Sequence, residues 1–295
     1  MKQERRQVME WAGAKRFMII LLLIINIVLA GLNIQQSHDN SMTAAQEKAI
    51  FEVLSQNGIT MYTDLKIDAQ PMCRLEAQVP TYAKEDLESV IFDGEKTRVS
   101  LGTKTVYKTE TKTLTLEGDQ GTFTDSTIEK GLQALSKADA QKMAEHKMEQ
   151  MKPTFGNFDL CYAFEEEDGW RIDFCSVFND EIIFSNHFSF FVSDGGIYQF
   201  DFTYCKITGM SAEKKDICMT DEALLTFMRE WNERNSDEDA AIQKLELGYD
   251  LMEQGSAVEG TGLFLEPCYR IYLMEESEPY LVNAYTCQIV KKDVK

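Results

Sequence analysis

Between residues 158 and 204 the large apolar side chains keep to even positions, and this alternation limits the fold more than any other feature of the chain. Phe158, Leu160, Tyr162 and Phe164 are followed by Trp170, Ile172, Phe174 and Phe178. Ile182, Phe184, Phe188, Phe190 and Val192 come next, then Tyr198, Phe200, Phe202 and Tyr204. A period of two belongs to strands, because successive side chains point to opposite faces of a sheet. Four such segments in succession predict an antiparallel meander with one greasy face, and that face needs a covering layer. The cover is expected from residues 125–152, which read as a long helix capped by Asp125 or Ser126 and stopped at Met151-Lys152-Pro153.

Parity also constrains the turns, since an all-even face requires hairpin loops of odd length. Glu167-Asp168-Gly169 fits a three-residue loop. It sets Cys161 across from Cys175 on the opposite face, a geometry that suits a disulfide and two facing thiols equally. The same reasoning aligns Asp173, His187 and Thr203 in one row. That is an acid, a base and a hydroxyl in order of contact, although a His beside an Asp on the polar face of a sheet reads first as a surface pair.

Elsewhere the pattern is mixed. Residues 43–56 carry apolar side chains at helical spacing and stop at Asn57-Gly58. Strand-like runs at 59–67 and 72–79, a short helix at 84–91 and the Thr-rich, Val-rich segment 97–123 follow. A third helix is expected at 221–234, then strands at 241–252, 263–274 and 280–290. Centring the last turn between Ser277 and Glu278 makes Cys268 and Cys287 a second candidate disulfide. Helix followed by antiparallel strands recurs, so the fold class is α+β with two related units, residues 35–124 and 125–295.

The chain begins with a different kind of segment. Residues 17–34 hold no charge, and as a helix they reach ~27 Å, close to the hydrocarbon thickness of a bilayer. Lys2, Arg5, Arg6, Lys15 and Arg16 precede them against Glu4 and Glu10 alone. Positive charge stays in the cytoplasm, which makes residues 1–16 a cytoplasmic tail, 17–34 a single transmembrane anchor and the remainder an extracytoplasmic domain. A cleaved signal peptide is the other reading, with Val28 and Ala30 at acceptable spacing, but the apolar run continues through Leu32 to Ile34. Asn26, Ala30 and Asn33 share one helical face, where an amide and a small residue suit contact with another transmembrane helix.

Composition narrows the partners. The formal net charge is −19 even with the basic tail included, so nothing draws this chain to nucleic acid. No P-loop, G-x-G-x-x-G, G-x-S-x-G or H-E-x-x-H occurs. The 7 cysteines are widely and irregularly spaced without a C-x-x-C pair, which argues against a zinc or redox motif. No catalytic residue, cofactor or metal is expected, and the chain reads as a non-enzyme.

Short motifs at the two ends resemble the YycI (also called WalI) family, in the YycH and YycI group of membrane-anchored regulators. Near the N-terminus they are Met9-Glu10-Trp11, Ala14-Lys15, the apolar stretch, and a helix ending in Asn57-Gly58-Ile59. Near the C-terminus they are Leu247-Gly248-Tyr249, then Pro267 with Tyr269-Arg270-Ile271, then Tyr280 and Asn283-Ala284-Tyr285-Thr286. This chain departs from the family pattern with Tyr269 in place of the usual Trp and Cys287 in place of the usual Gly. The resemblance implies a non-enzymatic regulator that acts with a YycH-like protein on a WalK (YycG)-like sensor histidine kinase of a Gram-positive cell-envelope two-component system. It implies association through transmembrane helices and restraint of the kinase. An anchored extracytoplasmic protein- or ligand-binding module without a kinase partner is the alternative. The C-terminal motif residues read first as fold-determining: Gly248 for a bulge or close packing, Arg270 as a surface cation, Asn283-Ala284 for a tight strand crossing.

Overall fold

The computed structural model describes residues 18–19, 21–27, 43–65, 67, 69–79, 91–92, 97–101, 104–131, 135–235, 238–251, 262–276 and 278–290. The first helix with assigned bounds, α1 (Ala44–Gln56), opens on a capping box. Thr43 Oγ1 accepts the Gln46 N–H while Gln46 Oε1 accepts the Thr43 N–H at 2.9 Å, so two otherwise orphaned donors satisfy each other. Gly58 follows with φ +75°, the left-handed conformation that ends a helix cheaply only in glycine.

Helix α2 (Lys137–Phe155) begins later than the sequence suggests. Residues up to Asp125 belong to a strand, and Asp125 then turns the chain by accepting from the Thr127 N–H and hydroxyl at 3.0 and 2.6 Å. Meander side chains hold the segment that follows, with Ser193 Oγ donating to the Glu129 carbonyl and Trp170 Nε1 to that of Leu135. Ser136 is the actual cap. The far end also differs, since Pro153 lies inside the final turn and the helix runs on to buried Phe155. That ring packs edge-on against Phe188, Phe202 and Tyr204, contacts that offset the lost backbone hydrogen bond.

The expected meander is present as β7 (Phe158–Glu166), β8 (Gly169–Phe178), β9 (Glu181–Ser193) and β10 (Gly196–Thr203), paired in sequence. Its greasy face carries Ile172, Phe174, Phe188, Phe190, Phe200 and Phe202, and α2 covers it with Ala140, Ala144, Met148, Met151 and Phe155. The parity is broken in three places. Glu166 pairs with Gly169 across a two-residue loop, and a bulge at Cys161 restores the even register below it. The register shifts again between Cys175 and Ser176, and once more at Tyr198. Tyr162 and Phe184 therefore leave the greasy face, and Ala163 joins it.

The remaining strands extend this sheet. Strands β3 (Thr97–Leu101), β4 (Lys104–Lys108), β5 (Lys112–Glu117) and β6 (Gln120–Asp125) form antiparallel hairpins that join the meander where β6 pairs with β10. On the other side lie β1 (Ile59–Met61), β2 (Met72–Gln78), β11 (Lys206–Lys215), β12 (Ala240–Leu251), β13 (Leu263–Leu273), β14 (Tyr280–Asn283) and β15 (Gln288–Ile289). The whole is α+β and mostly antiparallel, ordered β11-β2-β13-β12-β9-β10-β6-β5-β4-β3 along its main path.

The buried side chains form two large clusters that cross the boundary expected at residue 124. Ile50, Leu54, Ile59 and Leu75 from the start of the chain pack with Leu224, Phe227 and Trp231 of helix α3 (Thr220–Arg234) and with Ile242, Leu265, Tyr269, Ile271 and Val282. Tyr107, Leu114 and Phe123 pack instead with α2 and the meander. A middle unit is thus inserted into an outer unit built from both ends of the chain. The two meet along a short parallel pairing of β12 with β9, Gly248 opposite Ile182 and Tyr249 opposite Ile183.

Among the described residues no helix is long and apolar enough to cross a membrane. Of the expected span, residues 18–19 and 21–27 are described and helical, while Ala30 and Asn33 lie outside the described residues. The same holds for the helix expected at 84–91, apart from Ile91.

Candidate functional site

The C-terminal motif residues, scattered in sequence, converge on adjacent strands. Leu247 faces Tyr269, Gly248 faces Cys268 and Tyr249 faces Pro267 across β12–β13. On the other edge of β13, Cys268 faces Asn283, Tyr269 faces Val282 and Arg270 faces Leu281. The Ala284 N–H donates to the Pro267 carbonyl at 2.9 Å, and Asn283 Oδ1 accepts from the Tyr285 and Thr286 N–H groups. Asn283 Nδ2 donates to Glu266, which also pairs with Arg74. Tyr269 Oη donates to the Cys218 carbonyl at 2.7 Å, tying β13 to the loop ahead of α3. These contacts make the motif a scaffold that fixes the C-terminal corner.

Arg270 is not the surface cation expected. It is 9% exposed, with its guanidinium 5.0 Å from the Phe184 ring centre and 5.4 Å from that of Tyr272. Its Nη1 donates to Cys175 Sγ at 3.7 Å, and among the described residues no carboxylate lies within ion-pair distance. Burial works against the charge, yet nearby Tyr272, Cys175 and Asp250 hold it above the usual arginine range. Around it, Lys244 Nζ donates to the Cys161 carbonyl at 3.0 Å and pairs with Glu246 at 2.7 Å. Tyr162 stacks on Tyr272 and donates to Gln243. This is the seam where the outer face of the meander meets β12 and β13.

A buried guanidinium with no carboxylate at ion-pair distance among the described residues contributes little net stability, whereas emptying its site costs packing. Arg270→Met, which keeps most of the volume, is expected to leave the unfolding free energy within about 1 kcal/mol of wild type or to raise it. Arg270→Ala is expected to lose about 3 kcal/mol. Urea unfolding of both variants decides the point, and a loss above about 3 kcal/mol in the Met variant would show that the charge itself is engaged.

The expected disulfide partners fare differently. All seven cysteines are free thiols. Cys161 and Cys175 do come together, but through the bulge: Cys175 faces Asp159, and Cys161 is the extra residue. A hydrogen bond with Cys161, then burial, pushes the Cys175 thiol well up, and Arg270 only partly opposes this. Such thiols are poor nucleophiles. Cys268 and Cys287 are not neighbours, because the pairing of Cys268 with Asn283 moves the turn toward Glu275 and Asn283 then breaks the strand. Cys287 sits instead beside Cys218.

The acid, base and hydroxyl row is likewise out of step. Thr203 pairs with His187, but His187 faces Cys175, while Asp173 faces Ser189. Asp173 pairs with Arg171 at 3.0 Å, and Arg171 reaches Glu278 at 2.7 Å. Burial disfavours the Arg171 charge, and these two carboxylates more than offset it. Of the proposed membrane-contact face, Asn26 is described and exposed. Sequence reasoning missed Cys218, which carries no local signal of its distant partner.

No family model matches the chain, and no curated protein matches it. Among solved structures, an uncharacterized protein from Eubacterium rectale ATCC 33656 is similar over 83% of this chain and 98% of its own, with TM-score 0.53 and 11% identity. The Bacillus megaterium YpeB C-terminal domain aligns over 70% of this chain and 93% of its own, with TM-score 0.40 and 14% identity. The likeness to the Eubacterium rectale protein is one of fold alone.

Proposed function

We propose that this chain is a membrane-anchored, non-enzymatic regulator, held by residues 17–34 with its α+β body outside the cell. It associates with a WalK-like sensor histidine kinase and a YycH-like protein, and it restrains the kinase. The observation that carries this reading is the run of apolar side chains ahead of the folded body. Met18, Ile19, Leu21, Leu22, Leu23, Ile24, Ile25 and Ile27 are all exposed, and none packs on either core. Each would gain about 1.5–3 kcal/mol from full burial, so a lipid or helical partner is the natural cover.

Within residues 17–34, Asn26, Ala30 and Asn33 are assigned to the kinase contact. A regulator of this kind works by binding one kinase state more tightly than another, because equal affinity for both shifts nothing. The buried motif around Gly248, Asn283 and Arg270 then serves the shape of the ectodomain rather than contact with the partner.

Membrane co-purification tests the reading. The tagged full-length chain is expected to bring down a histidine kinase and a second anchored protein, and a version carrying an unrelated span in place of residues 17–34 is expected to bring down neither. Recovery with both spans moves the contact to the ectodomain. Recovery with neither removes the kinase from the reading and leaves an anchored binding module.

A further inference from the structure

Three side chains that are distant in sequence meet at one end of α3. Cys218 precedes the helix, Glu222 lies in its first turn and Cys287 sits in the turn between β14 and β15. Their two sulfurs and one Glu222 carboxylate oxygen all lie within 4.8 Å of one another. We propose that Cys218, Glu222 and Cys287 form a binding site for a divalent cation of the zinc class.

The donor set points to that class. Two thiolates select a borderline-soft ion over magnesium or calcium, which take oxygen donors. With Zn–S near ~2.3 Å and Zn–O near ~2.1 Å, a tetrahedral site needs its donor atoms ~3.4–3.8 Å apart. The observed separations, none above 4.8 Å, stand close to that spacing. On coordination each thiol releases its proton to solvent, and the two thiolates and one carboxylate then leave about one net negative charge around a divalent ion. That charge falls at the N-terminal end of a 15-residue helix, where the helix dipole favours it.

The framework around the donors is already tied down. The Cys218 N–H donates to the Ala284 carbonyl at 2.7 Å, and its own carbonyl accepts from Tyr269 Oη at 2.7 Å. Thr226 Oγ1 donates to the Cys287 carbonyl at 3.3 Å and lies 3.5 Å from its sulfur. Glu222 Oε2 accepts the Met219 N–H at 3.0 Å. Outer contacts of this kind orient metal ligands. Three protein donors leave a fourth position for water or a small exogenous donor. A pocket of about 520 Å³ lined by Glu222, Leu225, Thr226, Met228, Arg229 and Cys287 gives it access.

Cys287 also supplies a clean control. Its φ of +53° belongs to the left-handed region that favours glycine. Cys287→Gly therefore removes the thiol while relaxing the backbone, and the variant is expected to fold as wild type does.

The test is a titration of the reduced, chelator-treated full-length chain in detergent with Co²⁺, followed by Zn²⁺. Wild type is expected to bind one equivalent of Co²⁺ with thiolate-to-cobalt charge-transfer absorption in the near ultraviolet, lost when Zn²⁺ displaces it. Cys287→Gly and Cys218→Ser are expected to lose that absorption. Glu222→Gln, which keeps an acceptor for Met219, is expected to weaken Co²⁺ binding at least about tenfold. No charge-transfer band in wild type overturns the proposal. So does an undiminished band in Cys287→Gly, which would place the metal on other thiols. Peptide mapping that finds Cys218 and Cys287 joined as a disulfide in the chain isolated from its host overturns it as well.

Discussion

Phe188→Ala is expected to lower the unfolding free energy by about 4 kcal/mol, the largest loss of any single truncation in the meander. Phe188 is fully buried. Its ring lies 4.9 Å from Phe202 in a stacked pair, and 4.9 and 5.2 Å from Phe155 and Phe158 in edge-on pairs. Phe190 and Phe200 complete the shell at 5.9 and 6.2 Å. Removing the ring forfeits its transfer free energy, several aromatic contacts worth about 0.5–1.5 kcal/mol each, and the packing of atoms that cannot collapse into the gap. Strands on both sides and α2 above hold those neighbours in place. Phe188→Leu keeps most of the volume and is expected to cost less than about 1.5 kcal/mol. Chemical denaturation measures both, and equal losses for the two variants would mean that the cluster is held by something other than ring packing.

The second large effect is expected at the seam between the two units. A Cβ on Gly248 would stand 2.5 Å from the Ile182 carbonyl oxygen and 2.9 Å from Cζ of Phe184. The first is backbone, locked by the parallel pairing of β12 with β9. It cannot yield as the end of a flexible side chain would. Gly248→Ala is expected to cost about 3 kcal/mol. Gly209→Ala, on an edge strand where the nearest atom is the Glu76 carboxylate at 3.5 Å, is expected to stay within about 0.5 kcal/mol of wild type. Thermal melts of the pair distinguish close approach from a general intolerance of strand glycines. A loss below about 1 kcal/mol in Gly248→Ala would mean that the two strands can separate without cost to either core.

The parts of this fold legible in the sequence are those written in local periodicity. Alternation in 158–204 names the meander, and helical spacing names a cover for it. The errors arise where the ladder is interrupted. A parity argument assumes unbroken pairing, and the bulge at Cys161 and the shift after Cys175 each reverse it. Cys161 and Cys175 meet all the same, because both lie on the outer face near the bulge. Cys268 and Cys287 do not, because Asn283 spends its side chain on a local turn rather than on continuing the strand. The start of α2 was hidden for a similar reason, since Asp125 looks like a helix cap and in fact serves a turn.

The candidate site was legible only in pieces. Gly248 sits at a close approach of β12 to β9, and Asn283 makes a turn where a strand crossing was expected, but their meeting with Pro267 and Tyr269 depends on long-range strand pairing. Cys218 and Cys287 belong to segments that α3 and β12–β14 separate, so no window of sequence joins them. Arg270 shows the limit in another way: a charged residue in a strand gives no sign of burial until its neighbours across the seam are known.

The insertion of one unit within the other has a mechanical consequence. Residues 44–61 pack on the same core as α3 and the C-terminal strands, with β1 laid parallel to β12 from Ile59 opposite Ala240 onward. Tension entering at the N-terminal end of the folded body is therefore borne by the β1–β12 ladder and passed to the last strands of the chain. The middle unit, which leaves and rejoins the outer one, stands off this load path. A pull applied there is expected to peel β1 from β12 before it disturbs the meander.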